Sequence, residues 1–154
     1  MEIKTLEDLN KKAEALKEVG DEEGLVQLAE RFGLDKEDAL DYMDGAVEEF
    51  ATPLMAAVAK LKKEAKELSL KGVMKDWEES IESLCADDEE LCIAVMKYES
   101  KLENCLAKLL KFAFDNKEQV HDSIVKVAGL RTPLYLGIPS KADLKKLVAE
   151  YYKG

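Results

Sequence analysis

Two pairs of glutamates stand at a spacing that could bind a divalent cation. They are Glu64 with Glu67 and Glu79 with Glu82. Side chains three residues apart on a helix project to one side, so each pair could offer two carboxylates to one Mg²⁺ ion. The chemistry of such a site would be metal-dependent hydrolysis. The same spacing also suits ion pairs with neighbouring lysines on solvated helix faces, which is the interpretation we adopt.

This arrangement resembles that of the all-α nucleotide pyrophosphohydrolases, which hold Mg²⁺ with Glu-x-x-Glu on one helix and Glu-x-x-Asp on a neighbouring helix. Here the second motif ends in glutamate, and the gap between the two motifs is short. The resemblance implies a metal-dependent nucleotide pyrophosphohydrolase as an alternative function. That alternative requires the four carboxylates to converge in one pocket.

A third pattern, Glu118-Gln-Val-His121, matches one Glu-x-x-His unit of the ferritin-like di-iron bundles. Those centres need a second such unit, and His121 is the only histidine of the chain. No phosphate-binding glycine loop or nucleophile elbow occurs either. We therefore predict no catalytic residue, no metal ligand and no cofactor, and we expect that the chain is not an enzyme.

The negative charge is concentrated in one segment. Residues 21–49 hold eleven carboxylates against Arg31 and Lys36, a net charge of −9 in a chain whose total is −10. Such a surface repels nucleic acid and anionic membranes and attracts cationic partners in a salt-dependent way. We therefore predict a basic nucleic-acid-binding protein as the partner, with no direct binding to nucleic acid or membrane.

Carboxylates recur with a regular spacing of three in this segment, at Asp35, Asp38, Asp41 and Asp44. Stacked like charges repel one another, and a cationic partner would relieve that repulsion. We expect the partner-binding carboxylates to face outward together, with no lysine inside the patch. These carboxylates are Glu37, Asp38, Asp41, Asp44, Glu48 and Glu49. The alternative is that they serve only to solvate the surface.

Arg131 and Tyr135 form a second candidate contact. They lie in the segment 130–139, which has two prolines and one glycine within an apolar decapeptide. Arginine and tyrosine are enriched at interface hot spots. The segment is predicted to be an ordered loop or one extended strand, and a loop packed under the last helix would have the same composition.

The elements that must position these residues are helical. Capping signals at Thr5, Asp21, Asp35, Thr52 and Ser140 each precede an apolar stripe with a spacing of three and four. We predict a single all-α domain over residues 1–154, a multi-helix bundle. Residues 1–50 form an acidic lobe of short helices, and residues 51–154 form a charge-balanced bundle.

The longest apolar repeat predicts one central helix over residues 88–115, opened by a capping box of Asp87 with Glu90. A shorter helix then carries Val120, Ile124 and Val127 and stops at Gly129. Together these patterns make the helix of residues 88–115 the strut of the bundle.

Cellular location is predicted from the cysteines and the hydropathy. Cys85, Cys92 and Cys105 lie in apolar helical patterns without a Cys-x-x-Cys pair, so we expect buried free thiols. No apolar run reaches the roughly 18–20 residues of a membrane span, and the first residues lack a signal-peptide core. The chain is expected to be cytoplasmic.

Two segments give the chain the general character of the small acidic helical proteins of phages and mobile elements. They are the run from Asp35 to Asp44 and the closing segment from Thr132 to Tyr152. In these the chain resembles anti-CRISPR inhibitors. The resemblance implies an inhibitor that occupies the cationic nucleic-acid channel of a CRISPR effector in the host cytoplasm, and the charge asymmetry fits that function. A self-associating helical scaffold is a further alternative, and its signature would be a large exposed apolar patch.

Overall fold

The computed structural model describes residues 2–154 and confirms the all-α prediction. Over these residues the chain forms nine helices and one small antiparallel sheet of two strands. The elements are α1 (Leu6–Glu18), α2 (Glu22–Arg31), α3 (Lys36–Met43), α4 (Pro53–Glu67), α5 (Val73–Ala86), α6 (Glu89–Val95), α7 (Leu102–Asp115), β1 (Glu118–Val120), α8 (Asp122–Val127), β2 (Leu134–Leu136) and α9 (Lys141–Lys153).

Most helix starts lie where the capping residues predict them. The Thr5 hydroxyl accepts a hydrogen bond from the Asp8 amide at 3.1 Å, and the Asp21 carboxylate accepts one from Gly24 at 2.8 Å. At α9 the Ser140 capping box is complete. The predicted box at Asp35 is wrong, because its side chain makes no capping bond and the Asp38 amide donates to the Asp35 carbonyl instead.

The single helix predicted over residues 88–115 is also wrong, because the chain leaves the helix after Val95 and re-enters at Leu102. The Lys60 ammonium group of α4 accounts for this break, since it binds the last carbonyl of α6 and two carbonyls of the segment that follows. Those carbonyls belong to Val95, Lys97 and Ser100. The α7 start is held by Glu64, which accepts a hydrogen bond from the Leu102 amide.

The start of α6 differs from prediction by one residue. Asp88, rather than Asp87, is the N-cap, and its side chain accepts a hydrogen bond from the Leu91 amide at 3.1 Å. The second carboxylate oxygen of Asp88 forms an ion pair with Lys153 at 2.8 Å. This contact ties the last helix to α6.

The hydrophobic core forms two clusters that meet along α4. One cluster is formed by α1, α2, α3 and the start of α4. The other cluster is formed by α4, α5, α6, α7 and α9. Ala56 belongs to the first and Ala57 to the second. All three cysteines are free and buried in the second cluster, as predicted.

The segment after α7 is not the continuous helix that the repeat at Val120, Ile124 and Val127 predicts. Residues 118–120 are instead strand β1, paired antiparallel with β2, with Gln119 opposite Tyr135. The helix α8 begins only at Asp122, after this strand. Among the described residues, no helix has both the length and the apolar character required to cross a membrane.

Candidate functional site

The packing of α3 determines which of its carboxylates are exposed to solvent. Ala39 and Tyr42 face the core and are buried. Glu37, Asp41 and Asp44 follow a spacing of four and three on the opposite side, and all three are exposed. The fourth predicted carboxylate of this helix, Asp38, is half-buried.

Glu48 and Glu49 project from the segment between α3 and α4 because the next residues are anchored. Phe50 is buried, and its ring meets that of Tyr42 edge-on at 5.7 Å between centroids. The Asn10 side chain of α1 holds the backbone of Ala51 at both ends, accepting a hydrogen bond from its N–H at 3.1 Å and donating one to its carbonyl at 3.0 Å.

Two surface cavities connect three of these carboxylates to residues distant in sequence. A cavity of 380 Å³ is lined by Asp38, Glu48 and Glu49 together with mostly apolar side chains. A cavity of 490 Å³ adds carboxylates from α1 and α6 to the same two glutamates. The carboxylates of both cavities, together with the three exposed ones of α3 and its C-cap, are called the acidic surface; its members are Glu7, Glu14, Glu37, Asp38, Asp41, Asp44, Glu48, Glu49 and Glu89.

Sequence reasoning missed Glu7, Glu14 and Glu89 because their proximity depends on the packing of α1 and α6. It was also wrong to expect no lysine in the patch. Lys11 lines the larger cavity and pairs with Glu7 at 2.8 Å. The Lys17 ammonium group lies 4.6 Å from the centre of the Tyr42 ring.

The six carboxylates predicted to bind a partner remain without countercharges inside the molecule. None of them forms an ion pair with any residue from 2 to 154, whereas Glu7 does. Their charges therefore act on the solvent and on whatever approaches this surface.

Arg131 and Tyr135 do not join the acidic surface. Arg131 lies in the turn before β2 and Tyr135 within β2, and both are exposed. Neither lines a cavity shared with the acidic residues. The interpretation of their segment as a loop packed under the last helix is wrong, because Leu136 and Ile138 are also exposed.

The glutamate pairs proposed for Mg²⁺ lie apart. Glu64 and Glu67 line one cavity and Glu79 and Glu82 line another, with no residue in common. The Glu64 carboxylate accepts a hydrogen bond from the Leu102 amide, and it lies 3.7 Å from the Lys60 ammonium group. Across residues 2–154, no group of three or more histidine, cysteine or acidic side chains has a geometry that could hold a metal ion.

His121 has a structural contact of its own. It is the N-cap of α8, and its Nδ1 accepts a hydrogen bond from the Ser123 amide at 3.2 Å. Glu118 of the same motif lies on β1. The Glu-x-x-His unit therefore does not lie on one helix, as the di-iron bundles require.

Comparison with protein-family models, with curated proteins and with solved structures finds no significant match to this chain. We therefore infer the function from the geometry of the acidic surface.

Proposed function

We propose that this chain is a protein-binding inhibitor whose acidic surface occupies a basic groove of its partner and competes there with nucleic acid. The observation that carries the proposal is the set of six exposed or half-exposed carboxylates that form no ion pair with any residue from 2 to 154. The proposal assigns binding to this surface and no catalytic step.

The proposal is supported by the free energy of folding that is lost to repulsion between these carboxylates. Like charges at spacings of three and four on a helix destabilise it by about 0.2–0.5 kcal/mol per pair. Asp44 adds to this cost, because it is the C-cap of α3, where the helix dipole disfavours an anion. A cationic groove would relieve both effects. The electrostatic potential of the acidic surface would also increase the rate at which the chain and its partner associate.

The spacing of the charges is compatible with a basic groove that binds a nucleic-acid backbone. Glu37, Asp41 and Asp44 follow one another along α3 at about 4.5–6 Å, given the helical rise of about 1.5 Å per residue. Phosphates of one DNA strand recur every 3.4 Å or so of helix axis. Alternate phosphates are therefore about 6.8 Å apart along that axis, which is close to the longer of the two spacings on α3, so lysines and arginines that contact them could reach Glu37 and Asp41. The resemblance to anti-CRISPR proteins makes a CRISPR effector in the host cytoplasm the first partner to test.

The first experiment identifies the partner and its salt dependence. The tagged chain is used to capture proteins from host lysate at low and high salt, and the eluted proteins are identified by mass spectrometry. We expect a basic nucleic-acid-binding protein that is retained at low salt and lost at high salt. A competition assay with the purified partner should then show displacement of its nucleic acid.

The decisive variant reverses three charges, Glu37→Lys with Asp41→Lys and Asp44→Lys. We expect it to abolish capture while the helical circular dichroism is unchanged, because all three side chains are exposed. The matched control makes the same change in net charge elsewhere, with Glu67→Lys, Glu99→Lys and Glu118→Lys at exposed positions. Recovery of no basic nucleic-acid-binding protein, or retention that the first variant leaves intact, would refute the proposal.

A further inference from the structure

The segment from α8 to the start of α9 exposes an unusual amount of apolar surface. We call residues 122–141 the arm. Val127 is 90% exposed and Ile138 is 71% exposed. The exposed large apolar side chains of the arm are Ile124, Val127, Leu130, Tyr135, Leu136 and Ile138. Exposed apolar patches of this kind mark interaction sites.

The arm is held in place although it packs into neither core cluster. Neither cluster contains a residue of this segment, within the part of the chain that the structure describes. Gly137 lies against the carbonyl of Ala113 and the backbone of Lys117, closer than a side chain at this position would allow. A ribbon of two strands is only marginally stable by itself. Val125 of α8 is 1% exposed and Pro139 is buried, so the arm is anchored on its inner side, and its outward apolar side chains lack a covering element among the described residues.

The charges of the arm are mostly positive. Lys126, Arg131 and Lys141 are opposed by one carboxylate, that of Asp122 at the start of α8. None of these four residues forms an ion pair with another described residue. The arm thus has a net charge of +2 beside an exposed apolar patch, in a chain whose residues 21–49 have a net charge of −9.

The acidic surface has the complementary composition. Val47 and Ile93 are 42% and 43% exposed there. They line the same cavities as Glu48 and Glu49. Each copy of the chain therefore carries an apolar surface with cations and an apolar surface with carboxylates.

We propose that the arm of one copy docks on the acidic surface of a second copy. Contact between two arms would place cations of both copies close together in an apolar interface, and their repulsion costs free energy. An anionic membrane is disfavoured because the chain as a whole carries −10 and the arm only +2, so the remainder carries −12. The acidic surface offers both apolar contact and opposite charge.

The contact is head-to-tail, since it joins two different surfaces. Such contacts produce open chains or closed rings rather than isologous dimers. The contact does not depend on an external partner. It covers the carboxylates that a basic groove would bind, so self-association and partner binding compete for one surface.

The first test measures assembly of the full chain by sedimentation velocity over a range of concentrations, at low and high salt. We expect concentration-dependent assembly that salt weakens. A monomer at all concentrations would overturn the proposal. So would binding of a monomer through its arm to phosphatidylserine vesicles.

The second test uses variants that each lose one surface. The arm variant is Val127→Ser with Arg131→Gln, and the surface variant is Glu48→Lys with Glu49→Lys; all four positions are exposed. Each variant alone should associate about tenfold more weakly than the wild type or not at all, a change of ~1.4 kcal/mol. An equimolar mixture should form 1:1 dimers and nothing larger, because one intact arm meets one intact surface.

The matched control is Leu110→Ser with Lys111→Gln, which removes an exposed apolar side chain and a cation on α7, outside the arm. It should assemble like the wild type. Undiminished assembly of the surface variant would show that the arm contacts something other than the acidic surface and would overturn the proposal. Failure of the lysate capture alone would refute only the external partner.

Discussion

At the scale of single residues, the carboxyl of Glu78 on α5 lies in a strongly perturbed environment. The residue is 3% exposed, and its Oε1 has no hydrogen-bond partner among the described residues. Burial raises its pKa to about 8, and the hydrogen bond to Glu82 and the negative charges of Glu82 and Glu79 act in the same direction. Glu78 therefore keeps its proton at neutral pH in the folded chain.

This shift predicts a pH dependence of stability. The unfolded chain releases the Glu78 proton near pH 4.5, and the folded chain releases it near pH 8. Within that window stability falls as the pH rises, by up to about 1.4 kcal/mol per pH unit. Glu78→Gln removes the titration and keeps the shape of the side chain. We expect urea unfolding between pH 5 and pH 8 to show a smaller decline in the free energy of unfolding for this variant.

The control for this prediction is Glu79→Gln, at an exposed neighbouring position. It should retain most of the wild-type slope of stability against pH. An equal slope for wild type and Glu78→Gln would mean that the carboxyl does not hold its proton in the folded state.

At the scale of elements, the break between α6 and α7 depends on one lysine of α4. The last carbonyls of a helix have no partner within the helix. The Lys60 ammonium group satisfies that of Val95, the last residue of α6, and also binds two carbonyls of the segment after the helix, those of Lys97 at 3.0 Å and Ser100 at 2.8 Å. Burial lowers the pKa of Lys60, and the nearby charge of Glu64 opposes this shift.

We predict that Lys60→Met lowers the free energy of unfolding by about 2–4 kcal/mol, because it leaves part-buried carbonyls without a donor. Chemical denaturation of the purified variant measures the change. The matched control is Lys62→Met on the same helix, whose side chain is 67% exposed. Its effect should lie within about 0.5 kcal/mol of zero. Equal effects of the two substitutions would exclude the capping role.

At the scale of the whole molecule, charge is separated between an acidic surface and a cationic arm. The acidic surface is assembled from α1, α3, α6 and the segment before α4. Its repulsion opposes folding, and salt screens that repulsion over about 8–10 Å. Stability and binding should therefore respond in opposite directions when carboxylates are removed.

We predict that Asp41→Asn with Asp44→Asn stabilises the chain by about 0.5–1 kcal/mol at low salt and weakens binding of a cationic partner. The gain arises because both residues lie at the C-terminal end of α3, where negative charge is unfavourable. Thermal unfolding at low and high salt measures it, and the gain should shrink as salt is added.

Glu37→Gln provides the contrast, because Glu37 lies in the first turn of α3, where the helix dipole favours an anion. It should not stabilise the chain. Stabilisation by all three neutralised positions alike would indicate general charge repulsion without a contribution from the helix end.

The sequence by itself determined what depends on neighbours along the chain. Caps at Thr5, Asp21 and Ser140 predicted helix starts because each oxygen accepts a hydrogen bond from an amide three residues later. Apolar spacing likewise predicted the helical class and the buried cysteines. The six carboxylates that the sequence predicted to face outward are exposed, except for Asp38, which is half-buried.

Only the tertiary structure decided what depends on contacts between distant segments. The apolar repeat continues through residues 96–101, and the helix ends there because Lys60, 35 residues away from Val95, binds the free carbonyls. Glu89 joins the acidic surface only through the packing of α6. Exposure of the outward side of the arm was decided in the same way, since an apolar side chain is buried only when another element covers it. Val125 is covered, whereas no residue from 2 to 154 covers Val127 or Ile138, which are 90% and 71% exposed.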